Sequence, residues 1–242
     1  SDRWQMQFNA SKCKVLQVGP KNKHYSYTMG GFAPAGRVLD RSVEEKDIGV
    51  MIHESLKPGV QCAKAAKKAN QVLGQMARGL HFRDKHTWIG FYRQYCRPHL
   101  ETCIQAWSPW TKTDIDLLES VQQRAVKMCS GLKGKTYTER LKEVGLTTLE
   151  ERRTRGDMIQ VWKTLHKKDD VNPETWFTPV NPIGAATRVT ADKLNLVKPS
   201  NLNLDIRRKF WSVRSVDKWN SLPKELKSSG SVITFKCNYD KL

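Results

Sequence analysis

Acidic residues are scarce in this chain. Over 242 residues, 24 Asp and Glu stand against 42 Lys and Arg, a formal charge of +18. So one-sided a balance sets up a long-range field for polyanions, with nucleic acid the first expected partner and an anionic membrane surface the second. Long apolar runs are missing too. No stretch approaches the roughly 18 apolar residues of a bilayer-spanning helix, and the basic residues are spread along the chain, so no membrane partner is expected. The six cysteines, at positions 13, 62, 96, 103, 129 and 237, contain no C-x-x-C pair, and nothing like a signal peptide precedes them. A reducing, intracellular setting, cytoplasmic and/or nuclear, fits this usage best. No Ser-His-Asp arrangement, glycine-rich phosphate loop or H-E-x-x-H pattern occurs, which removes the common complete active sites. Internal repeats and low-complexity runs are also lacking.

The length allows a real hydrophobic core in one or two domains. The chain opens without Met, and Trp4, Met6 and Phe8 alternate like a strand edge, as expected of a break within a domain. From Lys12 to His53 the pattern is short and strand-like. Cys13, Val15, Leu16 and Val18, then Tyr25 and Tyr27, then Ile48, Val50 and Ile52 are separated by Gly-Pro, Gly-Gly and Gly-Arg turn signals, which predicts a small antiparallel sheet or hairpin.

After Pro58 the period changes. Cys62, Ala66, Ala69, Leu73, Met76 and Leu80 form an apolar stripe at helical spacing, and Lys64, Lys67, Lys68, Gln71, Gln75 and Arg78 occupy the other side. A second helix is expected over Lys85 to Tyr95. A third, from about Asp114 to Cys129, turns Ile115, Leu118, Gln122, Ala125 and Met128 or Cys129 inward and shows Arg124 and Lys127 outside. Thr148-Leu149-Glu150-Glu151 has capping-box form and opens a fourth helix with Ile159, Trp162 and Leu165 facing in. Arg152, Arg153 and Arg155 crowd its first turns, where the helix dipole favours acids, so another anion is expected nearby. Asp169 to Pro199 reads as a long irregular connection and a candidate domain boundary. The stretch Arg207 to Leu242 is again amphipathic, with Phe210, Trp211, Val213, Val216 and Trp219 before Leu222-Pro223.

Three constellations invite chemistry. Asp169-Asp170 looks like the paired aspartates that hold two metal ions in polymerases. Those pairs sit between apolar strands, whereas this one follows a basic helix end and precedes Asn172-Pro173, which favours a solvated loop. Cys96, His99 and Cys103 share a helical face and are soft metal ligands. They lack a fourth partner, Pro98 interrupts them, and buried cysteine is an ordinary core residue. Trp107, Trp110, Trp211 and Trp219 suit base stacking, and suit core packing better. The lysine face of the first helix is either a solvated surface or a phosphate-backbone contact that positions a duplex without reading its bases.

Taken in order, several segments resemble the end of the reverse transcriptase of non-LTR (LINE-class) retrotransposons of the jockey and chicken-repeat clades. Trp4-x-Met6-x-Phe8-Asn9-x-x-Lys12-Cys13-Lys14-Val15 resembles motif D, and Glu45-Lys46-Asp47-Ile48-Gly49-Val50 resembles motif E, the primer grip. Gln61-Cys62-Ala63 with Lys67-Lys68-Ala69-Asn70 and Leu73-Gly74 is similar to the first thumb helix. Tyr95-Cys96-Arg97-Pro98-His99-Leu100-Glu101-Thr102-Cys103 with Gln105-Ala106-Trp107-Ser108-Pro109 is similar to the second thumb segment. Leu118-Glu119, Val121-Gln122, Arg124-Ala125, Glu139-Arg140-Leu141, Gly145-Leu146, Leu149-Glu150, Arg152-Arg153, Arg155-Gly156-Asp157-Met158-Ile159 and Trp219-Asn220-x-Leu222-Pro223 continue the pattern. Each match alone is weak, and their colinear succession is what carries the resemblance. Cys96 and Thr102 depart from it, standing where an apolar and an aromatic residue are usual.

The resemblance implies the end of the palm with motifs D and E over residues 1–55, thumb helices over 56–135, and a basic helical region over 136–242 with an irregular connection near 169–200. The implied fold is α+β, mainly α. The metal-binding aspartates, the fingers, most of the palm and the endonuclease would lie upstream, so magnesium belongs to the full enzyme and this chain alone is expected to bind no cofactor and to be inactive. Implied partners are the RNA template and an RNA–DNA or DNA primer duplex. Lys46, Asp47, Ile48 and Gly49 would grip the primer, and Lys12 matches a motif D lysine that assists the leaving pyrophosphate. Lys64, Lys67, Lys68, Arg78, Arg124, Lys127, Arg152 and Arg153 are the further nucleic-acid candidates. A non-catalytic RNA- or DNA-binding module and an inert remnant of a truncated element are the alternatives.

Overall fold

A computed structural model describes residues 8–30, 36–180, 194–200 and 202–242. The strand-edge residues Trp4 and Met6, and residues 181–193 of the irregular connection, lie outside the described residues. The chain divides into two compact units, Ser1–Gln61 and Cys62–Leu242.

Among the described residues of the first unit, six short strands form three two-stranded ribbons. They are β1 (Lys14–Leu16), β2 (Thr28–Met29), β3 (Arg37–Val38), β4 (Asp40–Ser42), β5 (Glu44–Asp47) and β6 (Val50–His53). β2 pairs with β3 and β5 with β6 in antiparallel fashion, and β1 pairs with β4 in parallel. The pattern of short alternating runs predicts a small antiparallel sheet or hairpin, which the β2–β3 and β5–β6 pairs match, while the parallel β1–β4 pair departs from it. With no strand longer than four residues and none of the strand residues fully buried, too little apolar surface is covered to join the ribbons into one sheet.

Ile48 is a second departure from the expected strands. It leaves the alternation with Val50 and Ile52 to form, with Gly49, the two-residue turn of the β5–β6 hairpin. Both have positive φ, 41° and 90°, as a type I′ connection requires. Behind the hairpin the amide of Met51 donates to Oε1 of Gln61 at 2.8 Å.

Helix α1 (Gly59–Gly79) starts in this unit and runs on in the second. Ten further helices follow among the described residues: α2 (Lys85–Phe91), α3 (Pro98–Glu101), α4 (Ile104–Trp107), α5 (Lys112–Lys127), α6 (Tyr137–Val144), α7 (Leu149–Leu165), α8 (Asp205–Lys209), α9 (Trp211–Asn220), α10 (Lys224–Lys227) and α11 (Val232–Tyr239). The chain is therefore α+β and mainly α, as its sequence predicts. The apolar stripe of α1 is buried from Cys62 through Met76.

A π-helical turn over Tyr92–Cys96 extends α2, and polar side chains with few alternatives fix its position. The Trp88 indole donates to the Ala125 carbonyl at 2.8 Å, the Tyr92 hydroxyl donates to Gln122 at 2.9 Å, and the Cys96 thiol faces the Ala69 carbonyl at 3.3 Å. Gln122 is fully buried, and its amide nitrogen donates to the Tyr137 hydroxyl at 3.0 Å and the Thr147 carbonyl at 2.9 Å. An unsatisfied amide there costs about 1–3 kcal/mol, which explains a polar residue on the inward face of α5.

Capping boxes open α6 at Thr136 and α7 at Thr148, the latter on the residues that predict it. Gly156 lies on α7 where α4 crosses, and a Cβ there would meet Ile104 Cδ1 at 2.8 Å. The ends of the irregular connection are clasped, because β7 (Thr178–Pro179) pairs antiparallel with β8 (Leu196–Val197). The helices on either side share one core, in which Met158, Val161 and Trp162 of α7 pack with Trp211, Val216 and Trp219 of α9, and with Leu226 and Phe235. The described ends of the connection, 169–180 and 194–200, are thus tied to one shared core. Residues 135 and 136, where a boundary is expected, also fall inside the second unit.

Candidate nucleic-acid interface

Helix α1 contains no Asp or Glu. Its outer face carries Lys64, Lys67, Lys68, Gln71, Gln75 and Arg78, all exposed. At 1.5 Å rise per residue, Lys64 and Arg78 stand roughly 21 Å apart along the axis, a span of about six phosphates on one strand of a duplex. The last turns of α5 add Arg124 and Lys127, both exposed. Arg124 reaches α1 directly, its Nη1 lying 3.4 Å from Oδ1 of Asn70, one turn beyond Lys67. Asn70 has no charge to draw attention in the sequence, yet it ties the two helices at this face.

Pairing separates these cations from several others of the second unit. Among the described residues, none of Lys64, Lys67, Lys68, Arg78, Arg124 and Lys127 has a carboxylate within 4.0 Å, whereas Lys85, Lys135, Arg152, Arg155, Lys163 and Arg214 all do. A surface ion pair contributes little to stability, but it cancels the field that attracts a phosphate. The unpaired face keeps its field.

Arg152 and Arg153 do not join this face. Arg152 is half-buried and makes a two-pronged bond to Glu101, with its Nη2 at 2.9 Å from Oε2. Arg153 is 3% exposed and points into the second unit. The anion that the dipole argument calls for is, for Arg152, Glu101, and for Arg155 it is Asp240, whose Oδ2 accepts from Nη2 at 2.7 Å.

In the first unit, Lys46 and Asp47 end β5 while Ile48 and Gly49 form the turn, so the four residues share one hairpin tip. Ile48 is 93% exposed there. Lys12 closes a short 3-10 turn, exposed, next to β1. Lys14 and Glu45 face each other at 3.1 Å, and bonds from Ser42 and Lys14 hold the Glu45 carboxyl below its usual range.

The remaining constellations serve packing. Trp107, Trp211 and Trp219 are buried, and their indoles lie in the core; Trp219 donates to the Leu194 carbonyl at 2.8 Å. Only Trp110 of the four is half-exposed. Cys96 is fully buried, and burial pushes its thiol up to about 12, far from the thiolate that ligates metal. Cys103 is exposed, and no group of three potential metal ligands converges among the described residues. Asp169 accepts from Gln160 Nε2 at 2.7 Å and lies 3.5 Å from Lys163 Nζ. With a lysine on its carboxylate and Lys167 and Lys168 preceding it, the Asp169-Asp170 pair does not fit a magnesium site, which needs carboxylates turned toward the ion and free of other cations.

No protein-family model, curated protein or solved structure matches the chain. No helix of the described residues is long and apolar enough to cross a membrane.

Proposed function

We propose that this chain is the primer-grip and thumb end of an RNA-directed DNA polymerase of the non-LTR retrotransposon class, and that its part is to hold the backbone of a primer–template duplex. In that reading the phosphoryl transfer, with its aspartates and magnesium, belongs to upstream residues of the parent protein, and none of the residues here carries a chemical step. The supporting observation is the unpaired cationic face of α1 with Arg124 and Lys127 beside it. Its side chains are long, flexible and free of carboxylates, the properties of backbone contacts that position a duplex without reading sequence. The hairpin tip at Lys46–Gly49 would grip the primer by its resemblance to motif E. A non-catalytic binding module would use the same face.

Salt titration of binding to an RNA–DNA hybrid tests the reading. Engagement of all six cations predicts about a 10³-fold loss of affinity between 50 and 200 mM salt. Replacing Lys64, Lys67 and Lys68 together by Ala is expected to lower the salt slope by about 3 and to weaken binding across sequences alike, with an unchanged melting temperature. A flat salt response would reject duplex binding and leave the charge as a device for solubility.

A further inference from the structure

Two large rings at the rim of the second unit's core remain partly in water. Trp176 is 37% exposed and Phe210 is 36% exposed. Their ring centres lie 6.0 Å apart, with planes only 16° from parallel. For ring atoms in contact at about 3.5–4 Å, such a separation means that the rings are slid past each other by roughly 5 Å. Neither covers most of the other's face.

Both rings are held in place from behind. Trp176 meets the buried Trp211 edge-on at 5.8 Å and 62°, and Trp211 meets the buried Phe177 at 5.1 Å and 76°. The Trp176 amide donates to the Pro173 carbonyl at 3.0 Å. Phe210 is the N-cap residue of α9, and its carbonyl accepts from the amides of Val213 and Arg214, each at 2.9 Å. Rings ordered in advance lose little freedom when a flat partner settles on them.

The charge beside the rings is positive. Cζ of Arg207 stands 5.7 Å over the centre of the Phe210 ring, within cation–π range. Arg207, Arg208 and Lys209 end α8 in succession, all exposed. Arg208 is paired with Asp205 at 2.6 Å, whereas Arg207 and Lys209 have no carboxylate within 4.0 Å among the described residues. The acids nearest in sequence to the two rings are Asp205 and Glu174, so the three cations keep a surplus.

We propose that Trp176, Phe210 and Arg207 form a stacking platform for the unpaired bases of a single nucleic-acid strand, with Lys209 attracting its backbone. An aromatic face accepts any base, and adjacent cations meet the phosphates. The bases of a duplex are stacked on one another, so a single strand is the occupant that both the rings and the charge suit. RNA and DNA strands share this chemistry. The platform is separate from the α1 face and does not depend on it.

A short single-stranded oligonucleotide, made as RNA and as DNA, is titrated against the full chain by fluorescence anisotropy beside a counterpart of equal charge whose central positions are abasic. For at least one sugar type the base-bearing strand is expected to bind roughly fivefold tighter or more than the abasic one. Trp176→Ala is expected to bring that ratio near one, and Trp176→Phe, which keeps a ring, to retain most of it. A second measurement needs no substitution: irradiation of an oligomer carrying 5-iodouracil on the unaltered chain is expected to crosslink at Trp176 or Phe210.

The Lys64, Lys67 and Lys68 triple variant should weaken an RNA–DNA hybrid and leave the ratio between base-bearing and abasic strands intact, which keeps this test apart from that of the duplex grip. Equal affinities for the two strands in both sugar types overturn the proposal. So does a ratio that survives Trp176→Ala combined with Phe210→Ala, or crosslinking confined to residues other than Trp176, Phe210 and Arg207.

Discussion

Ile48 carries the clearest single-residue tension in the described chain. A β-branched side chain at φ 41° brings its Cβ against the neighbouring carbonyl, at a cost of roughly 1–2 kcal/mol, and at 93% exposure it recovers almost nothing by burial. Asn tolerates this conformation and is the usual residue before Gly in such a turn. Ile48→Asn is therefore expected to stabilise the β5–β6 hairpin by about 1 kcal/mol, read as roughly fivefold slower amide exchange at Asp47 and Val50. Exchange that stays the same or quickens would mean that the turn holds no strain. Arginines at the start of α7 show the opposite case, where residues of one type in adjacent turns meet different fates. Arg152 and Arg155 are neutralised by Glu101 and Asp240, and Arg153 is left with its donors unmet.

At the scale of elements, α1 joins two surfaces of opposite use. Its inner stripe is buried by small and medium apolar residues, and its outer face holds four exposed cations, Lys64, Lys67, Lys68 and Arg78. The helix can lose those cations without losing its core contacts, which is why the lysine substitutions are expected to affect binding and spare stability. Helices α2 and α6 are linked differently. Glu143 on α6 receives bonds from Lys135, just before α6, and from Lys85, the first residue of α2. Those bonds, from Lys135 foremost, hold its carboxyl at about 2, below the ordinary value of 4.5. A carboxylate with a depressed folded pKa contributes stability that is complete above its unfolded pKa and fades as pH falls through the folded one. The clamp is thus expected to act fully above about pH 4.5 and to be gone near 2. Thermal melts of wild type and Glu143→Gln across that window check it: the two curves should run apart above pH 5 and converge by pH 2. A gap constant with pH would remove the clamp.

Over the whole second unit, stability concentrates where chain segments distant in sequence meet. Phe235 on α11 is fully buried, against Trp162 at 5.8 Å and Trp219 at 6.2 Å between ring centres. The other described side chains of α11 are exposed or only partly buried, with Val232 and Tyr239 packed against the cluster, so this fully buried ring is the main anchor of α11. Phe235→Ala is expected to cost about 3–5 kcal/mol and to release α11, seen as a lower melting temperature and rapid proteolysis after Ser231. Loss of less than about 1 kcal/mol would show that Arg155–Asp240, not the ring, carries the docking. The same core takes in both described ends of the long connection near residues 169–200. β7 and β8 bring its ends together, and Phe177 and Leu196 at those ends enter the cluster themselves.

Periodicity and turn chemistry act over a few residues, so the chain's local order follows from its sequence alone. The α1 stripe from Cys62 to Met76, the inward Gln122 on α5, the capping box at Thr148 and the excess of helix are all written in spacing and residue type. Net charge is likewise a property of composition, and it points toward a polyanion with no reference to shape. Which cations remain free to meet one depends on contacts between residues far apart. Arg152 and Glu101 are 51 positions apart in the chain, and Arg155 and Asp240 are 85 apart, beyond the reach of any helical period. Only the tertiary structure could turn these arginines inward, tie Arg124 to Asn70, bury the Arg153 guanidinium, and put Ile48 at the tip of a hairpin rather than within its strand.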